Sequence, residues 1–408
     1  MSESTTLGAL VAAGHLELGD GYRTKRSEHG QPGLPILRVA EVLDGTISPA
    51  SEDYVSDAYR RAMGAKVSQA GDVVLTTKGT VGRVATIPEG SPEFVYSPQL
   101  CYFRVHPGSP LSARYLYYWF KSDFFWSQAG SRKSQTDMAD YINLADIRSL
   151  QISLPSPSSQ RAIVEVLGAL DDKIAVNDQI VQSSHGLIQA LWTKLALGAQ
   201  DFVRVSDVAV VDKGLSYKGE GLGGGAPLVN LGNFGSDGRF KVSALKFYDG
   251  ESKDRHWVNR GDLMMANTDL TQRRDILGQP ALALINADKA LFTHHVFVIR
   301  PGVGLEDERL WLYGAFRDPL FRDRAMTYAT GTTVLALPRD AVLSYKLPWP
   351  EQAARRNWTG ISQSLVDSSN ARSEESRQLS QLRDSLLPGL MSGAISVRSA
   401  ERVAEDAL

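Results

Sequence analysis

Cysteine is almost absent from this chain: Cys101 is the one thiol among 408 residues. A single cysteine excludes an internal disulfide framework and any zinc knuckle built on cysteine, and makes a reducing, cytoplasmic setting the simplest expectation. Long hydrophobic runs are missing too. No apolar stretch approaches the roughly 20 residues needed to cross a bilayer. Residues 1–11 lack the basic start and apolar core of a secretion signal, so no membrane partner is expected. Nor is there an excess of charge of one sign. The 44 Lys and Arg stand against 46 Asp and Glu, a formal net charge of -2. That balance argues against coating nucleic acid by bulk positive charge. It leaves open binding through local patches, or beside subunits that neutralise phosphates.

What is present is enough apolar material for more than one core, at 43% hydrophobic and 22% charged residues. The chain also repeats itself at a period of about 190 residues, long enough to duplicate whole domains. Leu34-Pro35-Ile36-Leu37-Arg38-Val39 is echoed by Ala226-Pro227-Leu228-Val229-Asn230-Leu231, and Gly71-Asp72-Val73-Val74-Leu75 by Gly261-Asp262-Leu263-Met264-Met265. Phe103-Arg104-Val105-His106-Pro107 returns as Phe297-Val298-Ile299-Arg300-Pro301, and Leu154-Pro155-Ser156-Pro157 as Leu347-Pro348-Trp349-Pro350.

Within each copy, short segments rich in Val, Ile, Phe and Tyr alternate with Gly, Pro, Asp and Ser, which predicts strand-dominated domains. Residues 73–77, 84–87, 94–96 and 102–105 are the strands expected in the first copy. Residues 114–125 and 308–316 are expected as helices packing aromatic residues on a sheet. After each Leu-Pro-x-Pro a long stretch without proline follows, 158–195 and 351–387. In the first, Ile163, Leu167, Leu170, Ile174, Asn177, Val181, Ser184, Ile188, Leu191 and Leu195 alternate in steps of four and three, the heptad seam of a coiled coil. In the second, Ile361, Leu365, Leu379, Leu382 and Leu386 keep that spacing, interrupted by Ser368, Arg372 and Glu375. Antiparallel pairing would bring the two polar centres together, where they either fix register or splay into solvent. A helix of about 38 residues would extend about 57 Å. The expected fold is therefore α+β. Two strand-rich mixed α/β domains in tandem (1–157 and 199–350) are separated and followed by long helices (158–198 and 351–393) that pair as an antiparallel coiled coil, before a tail at 394–408.

This layout resembles the specificity subunits of type I restriction-modification systems, and local wording resembles them too. Leu154-Pro155-Ser156-Pro157-Ser158-Ser159-Gln160-Arg161-Ala162-Ile163-Val164 is similar to the family's entry into its first conserved helix, and Leu170-Asp171-Asp172-Lys173-Ile174 to the next turns. Gly71-Asp72-Val73-Val74-Leu75 with Gly79-Thr80-Val81-Gly82 resembles the strand and glycine loop of the recognition domain. Residues 382–393, from Leu382 through Pro388 to Gly393, resemble the usual carboxyl-terminal ending. The second copy departs from the pattern: Gln352 is out of step with Gln160, and Asn267-Thr268-Asp269 replaces Lys78-Gly79-Thr80.

The resemblance implies a non-catalytic, DNA-binding subunit of a phage-defence complex. Each domain would read half of a bipartite target in double-stranded DNA, while the helices set the gap and dock two modification subunits. Cofactors would sit on partners: S-adenosylmethionine on the modification subunits, ATP and Mg on the motor and endonuclease subunits. Lys78, Thr80 and Arg83 offer cations and hydroxyls beside glycines that let backbone approach phosphate, or else form a plain hairpin turn. Arg132, Lys133 and Gln135, with Thr332 at the matching place in the second copy, are a second candidate or a solvated loop. In the second domain Asn267, Thr268, Thr271, Gln272, Arg273 and Arg274 are the candidates, with side chains able to read guanine and adenine edges, or else they form an ordinary surface loop. Ser97 and Gln99 match His295 in position, and the His294-His295 pair lacks the companions of a metal site.

No adenine-methylation motif, no phosphate-binding Walker loop and no convincing nuclease constellation occurs. Glu251-Ser252-Lys253 has the nuclease spacing alone, and the run 219–225 is glycine-rich without the Walker lysine. The competing readings are a nuclease or methyltransferase with an unrecognised site, and a coiled-coil interaction scaffold.

Overall fold

In a computed structural model the described residues are 3–132, 134–135, 140–217, 219–235, 238–270 and 274–408. They divide into two compact units. The first comprises Met1–Ala175 with Ser376–Leu408, the second Val176–Glu375.

In the first unit the strands Leu16–Asp20, Leu100–Val105, Val73–Thr76 and Val84–Thr86 lie side by side in that order, each antiparallel to its neighbour. The central strand Val73–Thr76 is buried throughout because both faces of the sheet are covered. Val73 and Leu75 face a core built with Phe103, Tyr115, Trp119 and Phe120 from helix Ala113–Lys121. Val74 faces Leu37, Val42, Tyr96 and Tyr102. These lie around a smaller sheet of Tyr54–Ser56, Gly33–Leu37 and Val95–Tyr96, whose last two strands run parallel. The helix expected over 114–125 is broken at Ser122, whose hydroxyl donates to Trp119 O at 2.7 Å before a second helix, Asp123–Arg132, begins.

The second unit repeats the plan. Ala209–Lys213, Val296–Pro301, Leu263–Ala266 and Pro280–Leu282 take the same order and directions. A second sheet again holds a parallel pair, Leu222–Val229 with Lys289–Phe292. Helix Arg309–Arg317 covers the sheet as its counterpart does.

The long helices are Pro157–Leu197 and Gln352–Ser392. In the first unit Ile163, Leu167 and Leu170 of one pack with Leu379, Leu386, Leu387 and Leu390 of the other, and Arg383 meets Asp171 at 2.6 Å. In the second unit Val181 and Ile188 are buried, and Asn177 Nδ2 donates to Glu375 Oε2 at 3.0 Å. Residues early in one helix thus meet residues late in the other, so the pairing is antiparallel. Asn177 and Ser184 are buried rather than splayed into solvent. Ile174, Leu191 and Leu382 are partly buried against these cores, as are Leu195 and Leu365.

One seam position differs. Ile361 is 44% exposed, and the buried ridge runs instead through Arg355, Trp358, Ser362, Val366 and Ser369. Ile361 attracted the heptad reading because it is the apolar residue of its turn. The helix turns Ser362 and Ser369 inward instead, and Ser369 satisfies its hydroxyl on Leu365 O at 2.8 Å.

Past Gly393, whose φ of +74° ends the second long helix, residues in the expected tail form helix Val397–Glu405. Its Ala400 and Ala404 are buried in the first unit's core.

Trp192 lies over Gly314, with its indole Nε1 donating to Trp311 O at 3.2 Å. A Cβ on Gly314 would stand 2.3 Å from Trp192 Cδ1. Although alanine is the better helix former by about 1 kcal/mol, overcrowding costs about 1–3 kcal/mol. Gly314→Ala should therefore lower the unfolding midpoint, read by tryptophan fluorescence in urea; an unchanged or raised midpoint would show that Trp192 yields freely.

Candidate nucleic-acid interface

Each unit hangs its candidate loop from the same scaffold. Asp72, 1% exposed, accepts from Arg104 Nε at 2.9 Å, from Tyr96 Oη at 2.7 Å and from Gln69 N at 2.9 Å. Burial, reinforced by the Asp72 carboxylate, raises the Tyr96 hydroxyl far above its usual range and keeps it a donor. In the second unit Asp262 accepts from Arg300 at 3.1 Å and from Asn259 N at 2.9 Å. These pairs explain the recurring Gly-Asp and Arg: they lock the turn that opens the central strand.

Where that strand ends, Thr77 N donates to Gln99 O at 2.9 Å and Thr77 O accepts from Ile142 N at 3.0 Å. Asn267 does the same with His295 O at 3.0 Å and Leu337 N at 2.8 Å. The backbone therefore equates Thr77 with Asn267 and Gln99 with His295. Lys78, Thr80 and Gln99 are exposed next to this tether. Arg83 is half-buried, with its guanidinium 3.5 Å from Val42 O. Gly82 is required there twice over: its φ is +99°, and a Cβ would stand 2.0 Å from the Trp126 ring.

Three residues expected at the surface are buried. Ser97 is 3% exposed, Asn267 3% and Thr268 5%. Asn267 and Thr268 hold the loop from within. Asn267 Nδ2 donates to His294 O at 3.1 Å, and its Oδ1 accepts from Thr268 Oγ1 at 2.7 Å. With its proton spent, Thr268 Oγ1 can only accept from His295 Nδ1, 3.1 Å away. That assigns the His295 proton to Nδ1 and leaves Nε2 as an acceptor. Burial, then the neighbouring His294 and Lys213, lowers the His295 pKa below 6.5, so the imidazole is neutral at pH 7.

Arg274 is exposed, with a left-handed φ of +57°. Its carbonyl accepts from Arg322 Nη2 at 2.8 Å, as does that of Asp275, while Arg322 Nη1 donates to Leu277 O at 3.1 Å. Arg322, on helix Pro319–Tyr328, is thus a loop clamp that sequence reasoning missed, since an arginine in an exposed helix reads as solvated. Thr332 is exposed. Arg132 ends helix Asp123–Arg132, and Gln135 belongs to strand Ser134–Gln135, which pairs with Asp140–Tyr141. Lys133, Thr271, Gln272 and Arg273 lie outside the described residues. Among the described residues no group of three His, Cys, Asp or Glu is placed to hold a metal ion, and no helix is long and apolar enough to cross a membrane.

Residues 18–183 match the family described as the type I restriction modification DNA specificity domain. The S subunit of a type I restriction-modification system from M. genitalium is 13% identical, with 96% of each chain covered and a TM-score of 0.53. The HsdS subunit from Thermoanaerobacter tengcongensis is 16% identical over 97% of each chain, with a TM-score of 0.34. No curated protein sequence matches the chain. The matched segment covers most of the first unit and part of the first long helix, and the second unit repeats its sheets and tethers. Over residues 18–183 the chain is similar to the specificity domain of type I restriction-modification systems.

Proposed function

We propose that each unit reads one half of a bipartite DNA target, and that the chain binds without doing chemistry. One observation carries this: an identical backbone tether presents different side chains in the two units, Lys78 and Gln99 in one, His295 over Thr268 in the other. A shared scaffold with divergent reading edges is what two unlike half-sites require. Gln99 can pair with adenine, whereas His295 Nε2, an acceptor, suits an exocyclic amino group of adenine or cytosine in the major groove. The paired helices set the unread gap and dock two modification subunits. Those partners hold S-adenosylmethionine, and motor subunits hold ATP and Mg.

The test is selection of randomised duplexes by the assembled complex. Gln99→Ala should relax one half-site and His295→Ala the other, each by about 1–3 kcal/mol at one base pair, or roughly 5- to 150-fold. Relaxation of both halves by either variant, or of neither, would overturn the assignment. Lowering the pH through the depressed His295 pKa protonates Nε2, converting acceptor to donor. The preference lost in His295→Ala should therefore fade in the wild type as the pH falls below the usual histidine range, while the other half-site holds.

A further inference from the structure

Beside His295 the second unit opens a pocket of about 320 Å³, lined by Lys213, Arg255, His294 and Arg339 around Gly214 and Asp212. The one carboxylate in this lining is already engaged, with Arg300 Nε 2.9 Å from Asp212. Lys213, Arg255 and Arg339 are exposed and form no ion pair among the described residues. His294 Nδ1 is buried without a hydrogen-bond partner. Three unpaired cations and an unused imidazole nitrogen thus converge on one cavity, a donor set that an anion would complete.

The first unit supplies an internal control. Gly21 occupies the position of Gly214: a Cβ there would stand 2.2 Å from Tyr96 O, as one on Gly214 would stand 2.2 Å from Phe292 O. Strand register places Asp20 where the second unit has Lys213. The tether equates Pro98 with His294. Arg104 donates to Val67 O as Arg300 does to Trp257 O, which sets Ala65 opposite Arg255. In the first unit Lys66 Nζ lies 3.4 Å from Asp20 and 3.0 Å from Gly21 O, so that site closes on itself. The same fold is neutralised internally in one unit and left cationic in the other.

We infer that the second unit carries a phosphate-binding pocket, built by Lys213, Arg255, His294 and Arg339, that the first unit lacks. Where the phosphate is a diester of the target backbone, the inference rests on the DNA-reading proposal and anchors that half-site beside His295. A free phosphate would fit the same donors.

The experiment uses the full chain, alone and assembled with its modification subunits, with Lys213→Asp, Arg255→Ala and Arg339→Ala. Lys213→Asp installs the residue the first unit carries, and the two arginine variants remove exposed groups, so one of the three will fold if another does not. Inorganic phosphate binding is followed by calorimetry, and duplex affinity as a function of salt. For a backbone phosphate, each variant should lower the slope of log K against log salt by up to about 0.9, with equal losses on target and unrelated duplexes. An unchanged slope with loss of inorganic phosphate binding assigns the pocket to free phosphate. Wild-type behaviour in both arms overturns it. A wild-type complex that shows no sequence preference would instead overturn the half-site reading, and the phosphate arm would still decide the pocket.

Discussion

Arg355→Ala should destabilise the second unit by about 3–5 kcal/mol, the usual cost of leaving one member of a buried ion pair alone. Arg355 and Glu308 are 5% and 6% exposed, and both oxygens of the carboxylate are used, at 2.7 to 3.0 Å. Arg355 also donates to Pro350 O and stacks 3.9 Å from the Trp349 ring centre. The pair ties the first turn of the second long helix to the cap of helix Arg309–Arg317. In the first unit Gln160 makes the equivalent tie without charge, accepting from Ser112 N at 2.9 Å and donating to Pro155 O at 2.9 Å. Glu308→Ser combined with Arg355→Gln should therefore recover much of what either single change loses. Urea unfolding read through Trp192, Trp311 and Trp358 decides it. A loss below about 1 kcal/mol in Arg355→Ala would show that the pair barely repays its desolvation.

The second large effect concerns the target. Deleting one heptad from each helix, residues 178–184 and 368–374, removes facing segments next to the Asn177–Glu375 contact and keeps the seam in phase. Each helix shortens by about 10 Å, about three base pairs of duplex. Methylome sequencing should then show both half-sites unchanged and the gap shortened by about three. Altered half-sites with the original gap would contradict the helices' role as a spacer.

Much of this fold was legible because it is periodic or duplicated. The first helix's seam could be read residue by residue, since its apolar positions do the packing. The second could not: it buries Arg355 in its first turn and Ser362 and Ser369 further on, and a hydrophobic pattern is blind to buried polar residues. The same blindness hid the roles of Asn267 and Thr268, which look like DNA readers in sequence and turn out to orient His295. Arg355 escaped notice as the true counterpart of Gln160 because the second helix begins two residues later relative to its Leu-Pro-x-Pro, which only the hydrogen bonds to Pro155 and Pro350 reveal. Arg322 and the cationic pocket arise from residues far apart in the chain, and no local motif announces them.

The first unit is closed by residues 376–408, which supply Leu379, Leu386, Leu390 and Ala400 to its core, whereas the second unit is one uninterrupted stretch. During synthesis, therefore, the second unit can finish folding while the first still waits for residues 376–408 to emerge. Until then the first unit's helix exposes Ile163, Leu167 and Leu170, making it the part most dependent on chaperones and most damaged by loss of residues 376–408.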